Sequence, residues 1–311
     1  MAPTIGQIAA VSYNAVLAEG RTPANQWESS GFLHELDRQG GIVHKSLGNQ
    51  IEFPLDYRRN PGTAIQSTDL QAVVTTKTEV ITSALFDIAE VTVPVTWSKK
   101  DEVQTPSENA KVAFVKSLLL NGFASHDDIL ETTFFASATT NGFIPLAVHI
   151  VDAGTGSDGG IDSSTETWWR NQQATYIDDT DIEAAFTSVW NSTTKSSGDK
   201  AQPSLMASDA ATQSTFEGTQ QPLQRYETQE MKAGFKTLMF KTARYVFSQY
   251  GTTDVYFMKP GKSFSLVVSK EYFRDRGDTQ ELENANGWRF KIYSACQTGT
   301  GVRSRLGVAH V

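Results

Sequence analysis

The chain has 311 residues, 39% hydrophobic and 20% charged, with a formal net charge of −8. That length makes one large domain or two ordinary ones, and the apolar share, with 17 phenylalanines, excludes a disordered chain. The acidic balance argues against a tight grip on DNA phosphates, the single Cys296 excludes an intrachain disulfide and a thiolate metal cluster, and no stretch approaches the ~20 apolar residues of a membrane helix.

Residues 1–40 read as two short helical patches joined by "EGRTPANQ". The first lacks the positive start of a signal peptide and is expected to be an amphipathic arm. The second carries Phe32, Leu33 and Leu36 on one side and stops at Gly40 and Gly41. The period then changes. Ile51, Phe53, Leu55 and Tyr57 alternate with Gln50, Glu52, Pro54 and Asp56, which predicts a strand with one apolar face. Pro54 cannot donate to a ladder, so that strand is expected at an edge or in an exposed hairpin. A polar turn around Asn60-Pro61-Gly62, with Arg58 and Arg59 before it, leads into a β-prone run over 72–97. The run ends with Val91, Val93, Val95 and Trp97 on one face. Together these predict a long two-stranded excursion with a charged tip. An isolated hairpin is marginal in water, so the excursion is expected to find its cover on neighbouring copies.

"TPSE" predicts a helix start, with Thr105 as N-cap, Pro106 at the first position and Glu108 closing a capping box. No further proline interrupts the next thirty or so residues, a rod of about 45 Å, with Val115, Leu119, Phe123, Leu130 and Phe134 mostly on one side. Gly122 costs about 1 kcal/mol against alanine, so either packing is close there or the helix bends. Further on, Thr180 with Glu183 predicts a second capping box before Ile182, Phe186, Val189 and Trp190. "PSLMAS" reads as a buried strand, Ser208 as the cap of a helix through Phe216, and "ARYVFSQY", "DVYFMKP", "KSFSLVVSKEYF" and "WRFKIY" as strands. The order is mixed, which makes the fold class α+β.

The candidate chemistry is thin. Gly154, Gly156 and Gly159 have G-x-G-x-x-G spacing, but the polar "IDSSTETWWRN" follows where a dinucleotide site needs an apolar helix. "PGKSFS" resembles the end of a phosphate loop, but Tyr256 stands where the motif needs its first glycine. His126, Asp127, Asp128 and Glu131 on the long helix read as a solvated face rather than a metal site. No catalytic, cofactor-binding or metal-ligating residue is identified. Trp168 and Trp169, followed by Arg170, are large groups in a polar setting and remain to be explained. Arm, hairpin and over-long helix on a folded body bury little surface in one subunit, which implies self-assembly.

The order of parts resembles tailed-bacteriophage major capsid proteins of the Hong Kong 97 fold. "GGIDSSTETWWRNQ", residues 159–172, is similar to a stretch of one large capsid subgroup, and "GNQIEFPL" to the first strand of its hairpin. "TTFFASATTN" matches that subgroup only loosely. The resemblance implies an N-terminal arm (1–40), an extended loop (41–85), a peripheral domain (86–177) with a spine helix over 106–137, an α/β axial domain (178–285) and a return to the peripheral domain (286–311). It implies a virion capsid subunit made in a host bacterial cytoplasm, not an enzyme and without cofactor or membrane partner. Hexamers and pentamers of it would enclose double-stranded DNA without binding it specifically. Portal and scaffolding proteins, and a decoration protein, are the partners implied by analogy. Ile51, Phe53, Tyr57, Arg58 and Arg59 become candidates for inter-subunit contact. Trp168, Trp169 and Arg170 become candidates for the domain junction, either as a wedge or as filler of a local core. Some relatives cross-link a loop lysine to an asparagine. The tip has no lysine, the nearest being Lys45 and Lys77, so no cross-link is expected. Three alternatives stay open: an encapsulin-like nanocompartment shell, a nucleotide-binding enzyme using the Gly154–Gly160 loop, and a phage tail or decoration protein, whose particles would be tubes or bound knobs.

Overall fold

Two sheets, a detached hairpin and one long helix organise the chain in the computed structural model, which describes residues 5–18, 30–59, 63, 79–104, 107–178, 180–194, 202–220, 228–230, 236–271 and 273–311. The first half runs α1 (Ile5–Ala18), α2 (Gly31–Arg38), β1 (Ile42–Lys45), β2 (Gln50–Asp56), β3 (Ile81–Asp87), β4 (Ala89–Ser98), α3 (Lys99–Gln104) and α4 (Glu108–Phe134). Then come α5 (Leu146–His149), β5 (Ser157–Asp158), β6 (Ile161–Asp162), β7 (Gln172–Thr175), α6 (Ile182–Thr193), β8 (Leu205–Ser208) and α7 (Ala210–Gln220). The chain closes with β9 (Thr228–Glu230), β10 (Lys236–Phe240), β11 (Ala243–Phe247), β12 (Val255–Met258), β13 (Phe264–Ser269), β14 (Asp275–Arg276), β15 (Gln280–Glu281), β16 (Gly287–Thr300) and β17 (Gly307–His310).

β16 is the axis of a six-stranded sheet. Its run from Gly287 to Cys296 pairs antiparallel with β4, and from Cys296 to Thr300 with β13, which carries β1 in parallel on its far side. The alternation in β4 is borne out: Val95 and Trp97 are buried and Val91 and Val93 half-buried, while the residues between them are exposed. The seven-stranded sheet has the order β7-β17-β12-β8-β11-β10-β9. Its central strands β8 and β12 are buried along their length, as "PSLMAS" predicts. β17 ends the chain in this sheet, beside β7 and β12.

At ~1.5 Å per residue, α4 is about 40 Å long. Val115, Leu119 and Phe123 pack on Val95, Trp97, Phe290 and Ile292, and Leu130 and Phe134 enter a second core with Phe32, Phe143 and Phe264. Each such side chain contributes about 1.5–3 kcal/mol when fully buried. Close packing rather than a bend explains Gly122. A Cβ there would stand 2.9 Å from Ile292 Cδ1 and 3.1 Å from Val95 Cγ2.

Four sequence expectations need correction. The β-prone run breaks at Ile88: residues 81–87 pair with β2 in the hairpin, whereas 89–98 cross into the six-stranded sheet. The α4 cap is Ser107, whose Oγ accepts from the Ala110 amide at 3.2 Å because the helix begins at Glu108; Thr105 and Pro106 lie outside the described residues. At α6 the N-cap is Asp181, and Thr180 is held by Asp178 instead. Asp209, not Ser208, caps α7 by accepting from the Thr212 amide at 2.8 Å, since the Ser208 hydroxyl is engaged with Tyr245 at 2.7 Å.

The expectation that arm and hairpin lack cover on their own body is met only in part among the described residues, where Val11, Ile81 and Leu85 stay exposed. Ile8 and Ala9 of α1 are buried against α4, and Ser12 Oγ donates to Val112 O at 3.0 Å. α2 is built into the core, with Phe32 edge-on to Phe134 and Phe135. In the hairpin, Ile51, Leu55, Ala84 and Phe86 are buried over Trp169 and Val267. The turn residues 60–62 and Lys77 lie outside the described residues.

Candidate functional site

The hairpin root is where the tryptophans find their use. Trp169 is 1% exposed and fills the core beneath β2 and β3, and its Nε1 donates to Asp158 O at 3.0 Å. Trp168 stays half-exposed, stacks on Tyr57 with ring centres 5.1 Å apart, and donates to Glu166 at 2.6 Å. Arg170 is exposed and donates through Nε to Ser163 O (2.9 Å) and through Nη2 to Ser164 O (3.2 Å). The segment therefore leads into β7 of the seven-stranded sheet while its second indole packs under the hairpin.

The five candidate contact residues divide by burial. Ile51 is 4% exposed and spent inside the chain. Phe53 is half-buried against Gly299, where a Cβ would stand 2.3 Å from the ring, so only glycine lets the hairpin approach this closely. Tyr57 is half-buried on Trp168, and Arg58 and Arg59 are exposed.

Directly below lies a polar knot that the sequence did not advertise. His149 Nδ1 is 2.8 Å from Asp158 Oδ1 and its Nε2 is 2.9 Å from Thr298 Oγ1. Thr300 Oγ1 donates to Asp158 Oδ2 at 2.7 Å, and Arg303 donates to His149 O and Gly156 O, both at 2.8 Å. A hydroxyl, an imidazole and a carboxylate in line have the order of a hydrolytic triad. Here His149, Thr298 and Arg303 have no exposed surface and Asp158 is 3% exposed, and the Thr298 hydroxyl is also engaged with Ile144 O. No substrate carbonyl can reach that hydroxyl; the knot fastens α5, the β5–β6 hairpin and the end of β16 to one another.

α4 carries a second buried set, and this corrects the reading of a solvated face. His126, Asp127 and Glu131 are 0%, 4% and 5% exposed. Asp127 pairs with Arg274, Glu131 accepts from Ser248 Oγ at 2.6 Å, and Asp128, on the outer side, accepts from Tyr250 at 2.5 Å. Burial holds the His126 imidazole below its ordinary value and the Glu131 carboxyl above its own. Among the described residues no group of three histidine, cysteine or acidic side chains could hold a metal ion. Burial pushes the Cys296 thiol up to about 12, so it is no nucleophile at neutral pH.

The glycine segment opens no helix. Gly159 and Gly160 make the turn of the β5–β6 hairpin, and a single 3-10 turn at Thr167–Trp169 follows, so no helix N-terminus is available to cradle a phosphate. "PGKSFS" is a turn into β13, with Ser263 Oγ accepting from the Lys259 amide at 2.9 Å.

Two sheets joined through a crossing segment, a hairpin packed over that segment and a long helix laid across one sheet make up a fold shared with solved capsid subunits: the chain has the Hong Kong 97-type fold. The capsid asymmetric unit of cyanophage A-1(L) matches 87% of this chain and 90% of its own at 14% identity, with a TM-score of 0.62. The capsid of an empty GTA particle matches 93% and 90% at 9% identity, TM-score 0.59. The SrpI encapsulin of Synechococcus elongatus PCC 7942 matches 88% and 86% at 9% identity, TM-score 0.57. No protein-family model matches the sequence, and no curated relative does.

Proposed function

We propose that the chain is a major capsid subunit whose copies close into an icosahedral shell of hexamers and pentamers around double-stranded DNA. The observation that carries this reading is the fold, matched over about nine-tenths of both chains by the capsid subunits of cyanophage A-1(L) and of an empty GTA particle. Arm and hairpin support it only through the side chains they leave open, Val11, Ile81 and Leu85, because their other described apolar residues pack on their own body. The role is structural: among the described residues the triad-like arrangement of Thr298, His149 and Asp158 is sealed, and the acidic balance suits a wall that does not trap packaged DNA. The divisions at 1–40, 41–85, 86–177, 178–285 and 286–311, a place in the virion, and portal, scaffold and decoration partners belong to this reading. A nanocompartment shell is the second reading, favoured by the likeness to an encapsulin.

Electron microscopy of the purified chain tests the proposal. Uniform closed shells are the expected result, and tubes, knobs or dispersed monomers would refute it. Nuclease-protected double-stranded DNA in particles from the native source selects the capsid; a co-purifying protein cargo selects the nanocompartment.

A further inference from the structure

A cleft of about 720 Å³ opens beside the hairpin root. Arg58 and Arg59 follow β2, Arg170 follows the tryptophan pair, and Arg305 precedes β17; all four line it, with Asp56 as the one acid. The lining is thus formally +3 in a chain of formal −8. Arg58 and Arg59 are exposed and make no hydrogen bond or ion pair among the described residues. Arg170, exposed, uses Nε and Nη2 on the Ser163 and Ser164 carbonyls. Guanidiniums gathered in this way repel one another unless an anion sits among them, and their planar forks suit carboxylates held in pairs.

The same chain carries the complementary surface. In the 277–286 segment that leads from β14 through β15 to β16, Asp278 and Glu283 are exposed and without a partner among the described residues, while Glu281 is held by Lys99 at 2.5 Å. This loop and the cleft stand at opposite ends of β16. Leu282 bonds to Gly287 at the strand's start, and Gly299 lies under Phe53 of the hairpin at its finish. An extended strand of that length keeps its ends on the order of 40 Å apart. One chain cannot bring the two surfaces together, but two copies can, in a head-to-tail contact of the kind that closes rings.

We propose that the acidic loop 278–286 of one copy seats in the arginine cleft of the next. The partner is a second copy of this chain, and the contact rests on the self-assembly reading, which it deepens by naming the charges that select the neighbour.

The test is a reciprocal charge exchange at exposed positions, with wild type and variants first matched by circular dichroism and melting. Arg58→Glu with Arg59→Glu, and separately Asp278→Lys with Glu283→Lys, are each expected to raise the concentration needed for assembly by at least about tenfold. Combined in one chain, or mixed as two chains, the reversals are expected to restore association. Shells that form normally from each reversed chain, or no restoration on combination, overturn the contact while the shell reading stands. A wild-type chain that makes no shells removes the shell reading; the contact is then read from dimers in the same sedimentation runs, and a chain that stays monomeric overturns it too. A single-stranded oligonucleotide retained by wild type and lost in the Arg58→Glu, Arg59→Glu chain, with assembly unchanged, assigns the arginines to phosphate and also overturns the proposal.

Discussion

Arg303 and Arg305 stand two residues apart and belong to different regimes. Arg303 has no exposed surface and donates to His149 O and Gly156 O inside the knot around Asp158. Arg305 is half-exposed and lines the cleft with Arg58, Arg59 and Arg170. Burial decides what the charge is for. A buried guanidinium must be satisfied by its own chain, because leaving it unpaired costs several kcal/mol. An exposed one is worth little to stability, and Arg58 and Arg59, exposed and without a partner among the described residues, are the ones available to another molecule. The adjacent tryptophans repeat the contrast, Trp169 sealed under the hairpin and Trp168 half-open at the cleft.

The sharpest way to break the comparison is inside the knot. Asp158→Ala removes the acceptor of His149 and Thr300 and the carboxylate facing Arg303, and is expected to cost about 3–5 kcal/mol, read as a lower urea midpoint. Trp169→Ala is expected to cost a similar ~3–5 kcal/mol, whereas Trp168→Ala should stay below about 1 kcal/mol. Equal losses from the two would dissolve the distinction between the sealed and open regions. Gly122→Ala sets a helix gain of about 1 kcal/mol against an overpacking cost of about 1–3 kcal/mol. A net loss in thermal melting is expected because Ile292 and Val95 leave no space.

The smallest expected effect concerns pH. Burial lowers the His126 value below the ordinary 6.5, so in the window beneath 6.5 the unfolded chain binds more protons than the folded one. That stability is present above 6.5 and is lost as pH falls toward the folded value. Glu131, raised by burial, acts in the opposite sense, its contribution being lost as pH rises through its folded value. Comparing wild type with His126→Leu at pH 7.5 and 5.5 by urea unfolding isolates the histidine. The wild type should lose more stability on acidification than the variant.

Period carried most of what was legible in the sequence. Alternation at Ile51–Tyr57 and Val91–Trp97, and the stripe from Val115 to Phe134, each report a face against a core, and all three faces are there. Caps were misplaced by one or two residues because several hydroxyl and acidic groups stand together at each helix start. The break at Ile88 has no glycine or proline to mark it. His126, Asp127 and Glu131 read as solvent-facing because their cover comes from far along the chain, Arg274 at 147 residues' separation and Ser248 at 117. The cleft was half visible. Arg58 and Arg59 stand together in the sequence as candidates for inter-subunit contact, and only the fold adds Arg170 and Arg305 beside them.

Sedimentation velocity of the purified 34.1 kDa chain tests self-assembly most directly. The account calls for a fast, sharp boundary of many-subunit particles that persists on dilution and weakens with added salt. A single slow boundary at the mass of one chain, at every concentration and ionic strength, would contradict it.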